Sequence, residues 1–214
     1  MFTLAVIAQK GGTGKTTLSV GLAGAAMAAG RTPVIVDLDP QASATAWSRQ
    51  RGEEQPVVIS AQAAVLADAL ATAAEHGADV AIVDTAPHSE RDALLAARAA
   101  DLVLVPCRAA FLDLQAVEAT ADLVRRAKAR ALFVLSQVRP GDKVLPDSAE
   151  EHLRRHGLPV SPQRITHRAA VTHSQTAGRC VTETEPEGAA AGEVTALFRI
   201  VCEHVNMFMR EGAA

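Results

Sequence analysis

The sequence predicts an α/β domain, a mainly parallel twisted sheet with helices on both faces. Three observations predict it. Short apolar, β-branched runs alternate with longer segments of helical period. A strand, a glycine-rich turn and a helix start follow one another at the N-terminus, and two later runs end in aspartate, at the carboxyl ends where such sheets bind ligands. With 214 residues, 49% of them apolar, the chain fills one core, and residues 1–214 read as a single domain.

Thr3–Ala8, Pro33–Asp37, Val57–Ile59, Val80–Asp84, Leu102–Pro106 and Leu132–Ser136 read as buried strands. Between them lie helices, the first over Leu18–Ala29, with Gly30 and Gly77 placed where helix C-termini end. Asp113 is expected to cap a helix running to about Ala129, and Ser148 with Glu151 to form a capping box before Leu153. Glu183 to Gly192 reads as a loose connection into a last helix, Glu193–Arg210. That helix carries Val194, Leu197, Phe198, Val201, Val205 and Phe208 on one face. Such alternation implies right-handed βαβ crossovers and a mainly parallel sheet covered by helices on both faces.

The stretch Lys10-Gly11-Gly12-Thr13-Gly14-Lys15-Thr16-Thr17 carries the most chemistry. Backbone N–H groups of Gly11 to Thr17 can wrap a polyphosphate, and the helix N-terminus adds its partial positive charge. Lys15 can reach the β- and γ-phosphates, and the Thr16 hydroxyl can ligate Mg²⁺. Asp84 closes a strand where an acid would hold Mg²⁺, and Asp37 and Asp39, two residues apart, are expected on one side of the pleat. No guanine-reading N-K-x-D sequence is present, so the expected ligand is ATP. An ordinary phosphate loop would have glycine at position 9, occupied here by Gln9, and asks for no lysine at position 10. A cation at the loop entrance points away from its own γ-phosphate, which assigns Lys10 a phosphate on a second subunit.

The loop resembles the deviant Walker A motif, K-G-G-x-G-K-[ST], of the ParA/MinD family of dimerising ATPases, and Asp37-Leu38-Asp39-Pro40-Gln41 is similar to the D-x-D-P-Q motif of its partition members. The resemblance implies that Asp39 orients the attacking water and that Asp37 supports the Mg²⁺ shell. It implies catalytic roles for Lys10 and Lys15, and a nucleotide contact for Gln137, at a strand end where asparagine often meets adenine. Arg168 and Gly178 match the ends of an R-x-x-Y-x-x-A-x-x-x-G pattern of small ParF-like members, while Val171 and Ser174 depart from its interior. Cys107-Arg108-Ala109-Ala110-Phe111 also departs, where many small members carry Pro-Ser. The implied function is a slow, partner-stimulated ATPase switch. ATP drives homodimerisation, the dimer binds nonspecific DNA, and a ParB- or ParG-like adaptor carries plasmid or chromosome cargo. Some relatives position protein clusters instead.

Charge is unevenly placed. From Arg125 to Arg179 eleven Arg or Lys face four Asp or Glu, a net +7, leaving −10 elsewhere in a chain of net −3. This asymmetry suggests a face for DNA, with Arg168, Arg164, Arg125, Arg126 and Arg154 as the candidate contacts. No helix-turn-helix precedes the first strand, which argues against operon repression. Three scattered cysteines without a CxxC pair argue against a disulfide framework, a zinc site or the bridging cluster of a nitrogenase iron protein. No leader or membrane segment is evident, and the last helix has too few fixed cations for a MinD-like membrane anchor, so a cytoplasmic, nucleoid-associated location is expected. An ATP-dependent ligase of the dethiobiotin synthetase type is the remaining alternative.

Overall fold

The computed structural model describes residues 1–155, 157 and 159–211, with the side chains of Phe111 and residues 207–211 outside the description. Strands β1 (Phe2–Val6), β2 (Pro33–Asp37), β3 (Val57–Ser60), β4 (Val80–Asp84), β5 (Leu102–Cys107) and β6 (Ala131–Leu135) form one six-stranded sheet. Its order is β3-β2-β4-β1-β5-β6, and every pairing is parallel. The predicted fold class therefore stands. Central strands read as unbroken apolar runs because helices cover both faces.

The helices are α1 (Lys15–Ala28), α2 (Ser43–Arg51), α3 (Leu66–Glu75), α4 (Glu90–Ala99), α5 (Phe111–Ala127), α6 (Val144–Arg154), α7 (Ala169–Thr176), α8 (Val181–Thr184) and α9 (Ala189–Glu211). One core layer joins α1, α2, α8 and α9 to the sheet through Leu18, Leu22, Trp47, Val181, Leu197 and Val201. The other joins α3 to α6 through Leu66, Ala93, Val117, Leu123 and Leu153. Val194, Leu197, Phe198, Val201 and Val205 of α9 are all buried, as the helical spacing predicted; Phe208 and Arg210 lie outside the described side chains. Where α8 crosses α1, Gly24 is required: a Cβ there would sit 2.4 Å from Cys180 Cβ.

Three local expectations are corrected. Asp113 does not cap α5, whose N-cap is Ala110; it lies inside the first turn, buried and ion-paired. Ser148 and Glu151 lie within α6, which begins at Val144 behind an Asp142 turn in which the Leu145 amide donates to Asp142 Oδ1. Glu183 belongs to α8, where it accepts the Cys180 amide and pairs with Arg51, so the supposed loose segment begins only after Thr184. Asp113 is drawn into ion pairs, whereas α6 and α8 are started by other local signals, the Asp142 turn and the Cys180–Glu183 capping box.

Candidate nucleotide site

Parallel register puts the site's pieces at one height. Val6 pairs with Asp84 across β1 and β4, and Asp84 pairs with Asp37 across β4 and β2. The loop after β1 therefore emerges beside two strands that end in carboxylates. Gly12 (φ 73°) and Gly14 (φ 87°) take left-handed backbone, which lets the loop curl into α1 without a Cβ clash. No side chain caps α1, so its first N–H groups are left for a ligand.

Lys15 is 7% exposed. Burial pulls its ammonium below the ordinary lysine range, while the charges of Asp84 and Asp39 pull it back up. Asp84 is fully buried, and desolvation pushes its carboxyl up to about 6, against hydrogen bonds from Thr16 and Ser19. Ser19 Oγ lies 3.2 Å from Asp84 Oδ1, whereas Asp84 Oδ2 is buried with no partner among the described residues. A buried, unpartnered carboxylate oxygen beside a threonine hydroxyl suits a hard divalent cation.

Asp37 has a different occupation. Its Oδ2 accepts the Thr45 amide at 2.9 Å and the Thr45 hydroxyl at 2.8 Å, capping α2 from a distance. Strand β2 ends at Asp37, so Asp39 is not its pleat neighbour as expected. Asp39 sits in the following turn, its amide donating to Asp37 Oδ1 at 3.2 Å and its own Oδ1 accepting the Gln41 amide at 2.9 Å. Asp39 also lines an open cleft of about 790 Å³ with Gln62, Arg91 and Asp92.

Lys10, which the loop's path directs away from its own phosphates, meets a carboxylate of its own chain: its Nζ lies 3.3 Å from Asp113 Oδ2. On the other side of the loop, Ser136 and Gln137 at the end of β6 bond the loop's backbone, and Gln137 helps line a cavity of about 160 Å³ with Thr17, Thr166, His167, Arg168 and Gln175. Its wall is tied down by Glu193 of α9, which accepts from the Thr166 amide and hydroxyl and from Arg168.

The five arginines suggested for DNA are not brought together. Arg125 pairs with Asp122 and Arg126 with Glu90 at the far end of α5. Arg154 and Arg164 share Glu150, at 3.1 and 2.6 Å, and Arg164 also meets Asp147. Arg168 is held by Glu193 at 2.7 Å beside the cavity lined by Gln137. Glu90 and Glu193 lie outside the basic segment, so tertiary pairing offsets the charge of Arg126 and Arg168, while Arg125, Arg154 and Arg164 pair with acids near them in the chain.

Asp113, Ser19 and Glu193 were not singled out from sequence as site residues. Ser19 had a legible signal, one helical turn beyond Lys15 on the inward face; the other two are named only by long-range contacts.

A family model described as the CobQ/CobB/MinD/ParA nucleotide binding domain matches residues 4–179. The chain belongs to that family. It is 32% identical over 220 residues to "Maintenance of carboxysome distribution protein A" of Gloeobacter kilaueensis, covering 97% of this chain and 95% of that protein. It is 28% identical over 191 residues to the chromosome-partitioning ATPase Soj of Thermus thermophilus, covering 72% and 76%. Among solved structures, the ATP complex of a Cyanothece McdA variant superposes with a TM-score of 0.77 at 17% identity, covering 96% of each chain. Among the described residues no helix is long and apolar enough to cross a membrane.

Proposed function

We propose that this chain is an ATP-dependent dimerising ATPase that spaces a large protein assembly in the cell. The observation that carries the reading is the end-to-end similarity to a protein named for carboxysome distribution. It favours the protein-cluster alternative of the sequence reading over plasmid partition and over ParF-like closeness. Similarity to Soj keeps chromosome cargo as the second reading.

The chain's own residues divide the work. The Gly11–Thr17 backbone and α1 hold the triphosphate, and Lys15, buried in the field of Asp84 and Asp39, reaches the β- and γ-phosphate oxygens. Thr16 and Asp84 would hold Mg²⁺, which neutralises phosphate charge when bound; the orphan Asp84 Oδ2 supports this fit. Asp37 keeps α2 and the Asp39 turn in place, and Asp39 orients a water for attack on the γ-phosphate. Lys10 reaches the triphosphate of a second copy, which makes ATP the condition for dimerisation. The 160 Å³ cavity takes the nucleoside, with Gln137 at its inner edge.

Nonspecific DNA as the track, a small adaptor on the cargo, and a cytoplasmic, nucleoid-associated location complete the proposal. The test is deletion of the gene followed by imaging of labelled protein clusters and of a resident plasmid. Clusters that lose even spacing while plasmid inheritance is unchanged support the reading. Plasmid loss with normally spaced clusters sinks it in favour of partition.

A further inference from the structure

We propose that Ser136 and Gln137 are positioning residues that preset the phosphate loop, so that the end of β6 serves triphosphate binding and not only the base. The inference rests on the nucleotide reading above. Ser136 Oγ donates to Thr13 O at 2.8 Å, and Gln137 Nε2 donates to Gly12 O at 2.7 Å. Two consecutive residues of one strand end thus hold two consecutive carbonyls of the loop.

Peptide geometry turns this into a statement about the amides. A trans peptide unit is planar, and its C=O and N–H point in opposite directions. Drawing the Gly12 carbonyl toward β6 turns the Thr13 N–H away from β6; drawing in the Thr13 carbonyl does the same to the Gly14 N–H. Among the described residues neither amide donates to a protein acceptor. Successive N–H groups presented this way form an anion-binding nest. The loop also has open space at Gly11 and Gly12, where an added Cβ would meet nothing within 4 Å.

Both clamp residues are built into the scaffold. Ser136 is 4% exposed, and its amide donates to Cys107 O at 2.8 Å, continuing the β5–β6 ladder. Gln137 holds φ 53°, a left-handed backbone that a side chain rarely adopts and that persists where surrounding structure imposes it. Its amide packs over the loop, since a Cβ on Gly14 would lie 3.3 Å from Gln137 Nε2. A side chain already bonded to the phosphate loop is pre-ordered before nucleotide arrives, which lowers the ordering cost of binding.

The test uses Ser136→Ala and Gln137→Gly in the full chain. The measurements are ATP affinity, competition by inorganic tripolyphosphate, and thermal midpoint. Glycine removes the amide while easing the left-handed backbone, so a loss of affinity cannot be blamed on strain. Both variants are expected to bind ATP and tripolyphosphate about tenfold more weakly, the worth of one lost hydrogen bond. Gln137→Gly is expected to melt no lower than the parent. Loss of ATP affinity with tripolyphosphate binding unchanged would make Gln137 a base contact alone and overturn the proposal, as would unchanged affinity for both ligands or a lowered midpoint for Gln137→Gly. A parent chain that binds neither ligand overturns the nucleotide reading itself.

Discussion

Lys10 Nζ sits 3.3 Å from Asp113 Oδ2, and Asp113, 3% exposed, bonds Arg108 Nε through its other oxygen at 3.0 Å. The loop lysine is thus held within its own chain by a carboxylate that has a second cation. If Lys10 leaves, Arg108 still neutralises Asp113, so no buried charge is orphaned. The proposed exchange of Asp113 for a phosphate across a dimer interface would therefore be a modest step.

Two substitutions separate the roles of this pair. Lys10→Ala is expected to bind ATP yet sediment as a monomer, because the phosphate partner proposed for Lys10 is on the other subunit. Asp113→Asn weakens the hold on Lys10 and is expected to dimerise at roughly fivefold lower ATP, the worth of about 1 kcal/mol for a partly exposed pair. Normal ATP-dependent dimerisation of Lys10→Ala would remove the cross-subunit role.

Within the site, Lys15→Ala is expected to lose nucleotide binding, since Lys15 is buried against the loop. Asp39→Ala is expected to keep ATP while hydrolysis falls by about 10²-fold or more, trapping the dimer. Equal loss of ATP affinity in both variants, measured by equilibrium binding, would contradict this division.

Asp84 predicts a pH dependence for the metal-free chain. Its folded carboxyl titrates at about 6, above the ordinary 3.8, so the folded state binds more protons than the unfolded state between those values. Stability therefore falls as pH rises from about 4 through 6, by at most about 3 kcal/mol. Asp84→Asn removes the buried charge and is expected to raise the metal-free melting point at pH 7 while weakening Mg²⁺-dependent ATP binding. A flat melting profile across that range would contradict the first expectation.

Gly24→Ala tests the packing of α8 on α1. The added methyl must displace Cys180, whose Cβ would be 2.4 Å away, and is expected to cost about 1–3 kcal/mol in a denaturant titration.

DNA binding, if carried by the basic segment, should require ATP, ignore sequence and fall steeply with salt. Arg168→Glu is a poor probe of it, because Arg168 secures the cavity wall through Glu193 and its loss should weaken nucleotide binding first. Arg154 and Arg125, both on the surface, are the cleaner sites. Their joint reversal to Glu is expected to abolish DNA retention with ATP-dependent dimerisation intact; retained DNA in a filter-binding assay would reduce these pairs to a solvated face.

The sequence by itself determined the parallel α/β sheet, its strands to within about two residues at either end, and the run from Gly11 to Thr17. These are local: apolar periodicity, and glycines at the turns of one short loop, are written where they act. It also marked Asp37, Asp39 and Asp84, because strand ends in a parallel sheet converge on one edge. Only the tertiary structure decided what each carboxylate does, with Asp37 capping α2, Asp84 buried with a free oxygen, and Asp113 holding Lys10 from a helix far along the chain. It alone set the fate of Arg126 and Arg168, which pair with acids of distant elements, Glu90 and Glu193. The reason is physical: a buried or half-buried ion takes whichever opposite charge the packing brings within reach, and that choice is made across the chain rather than along it.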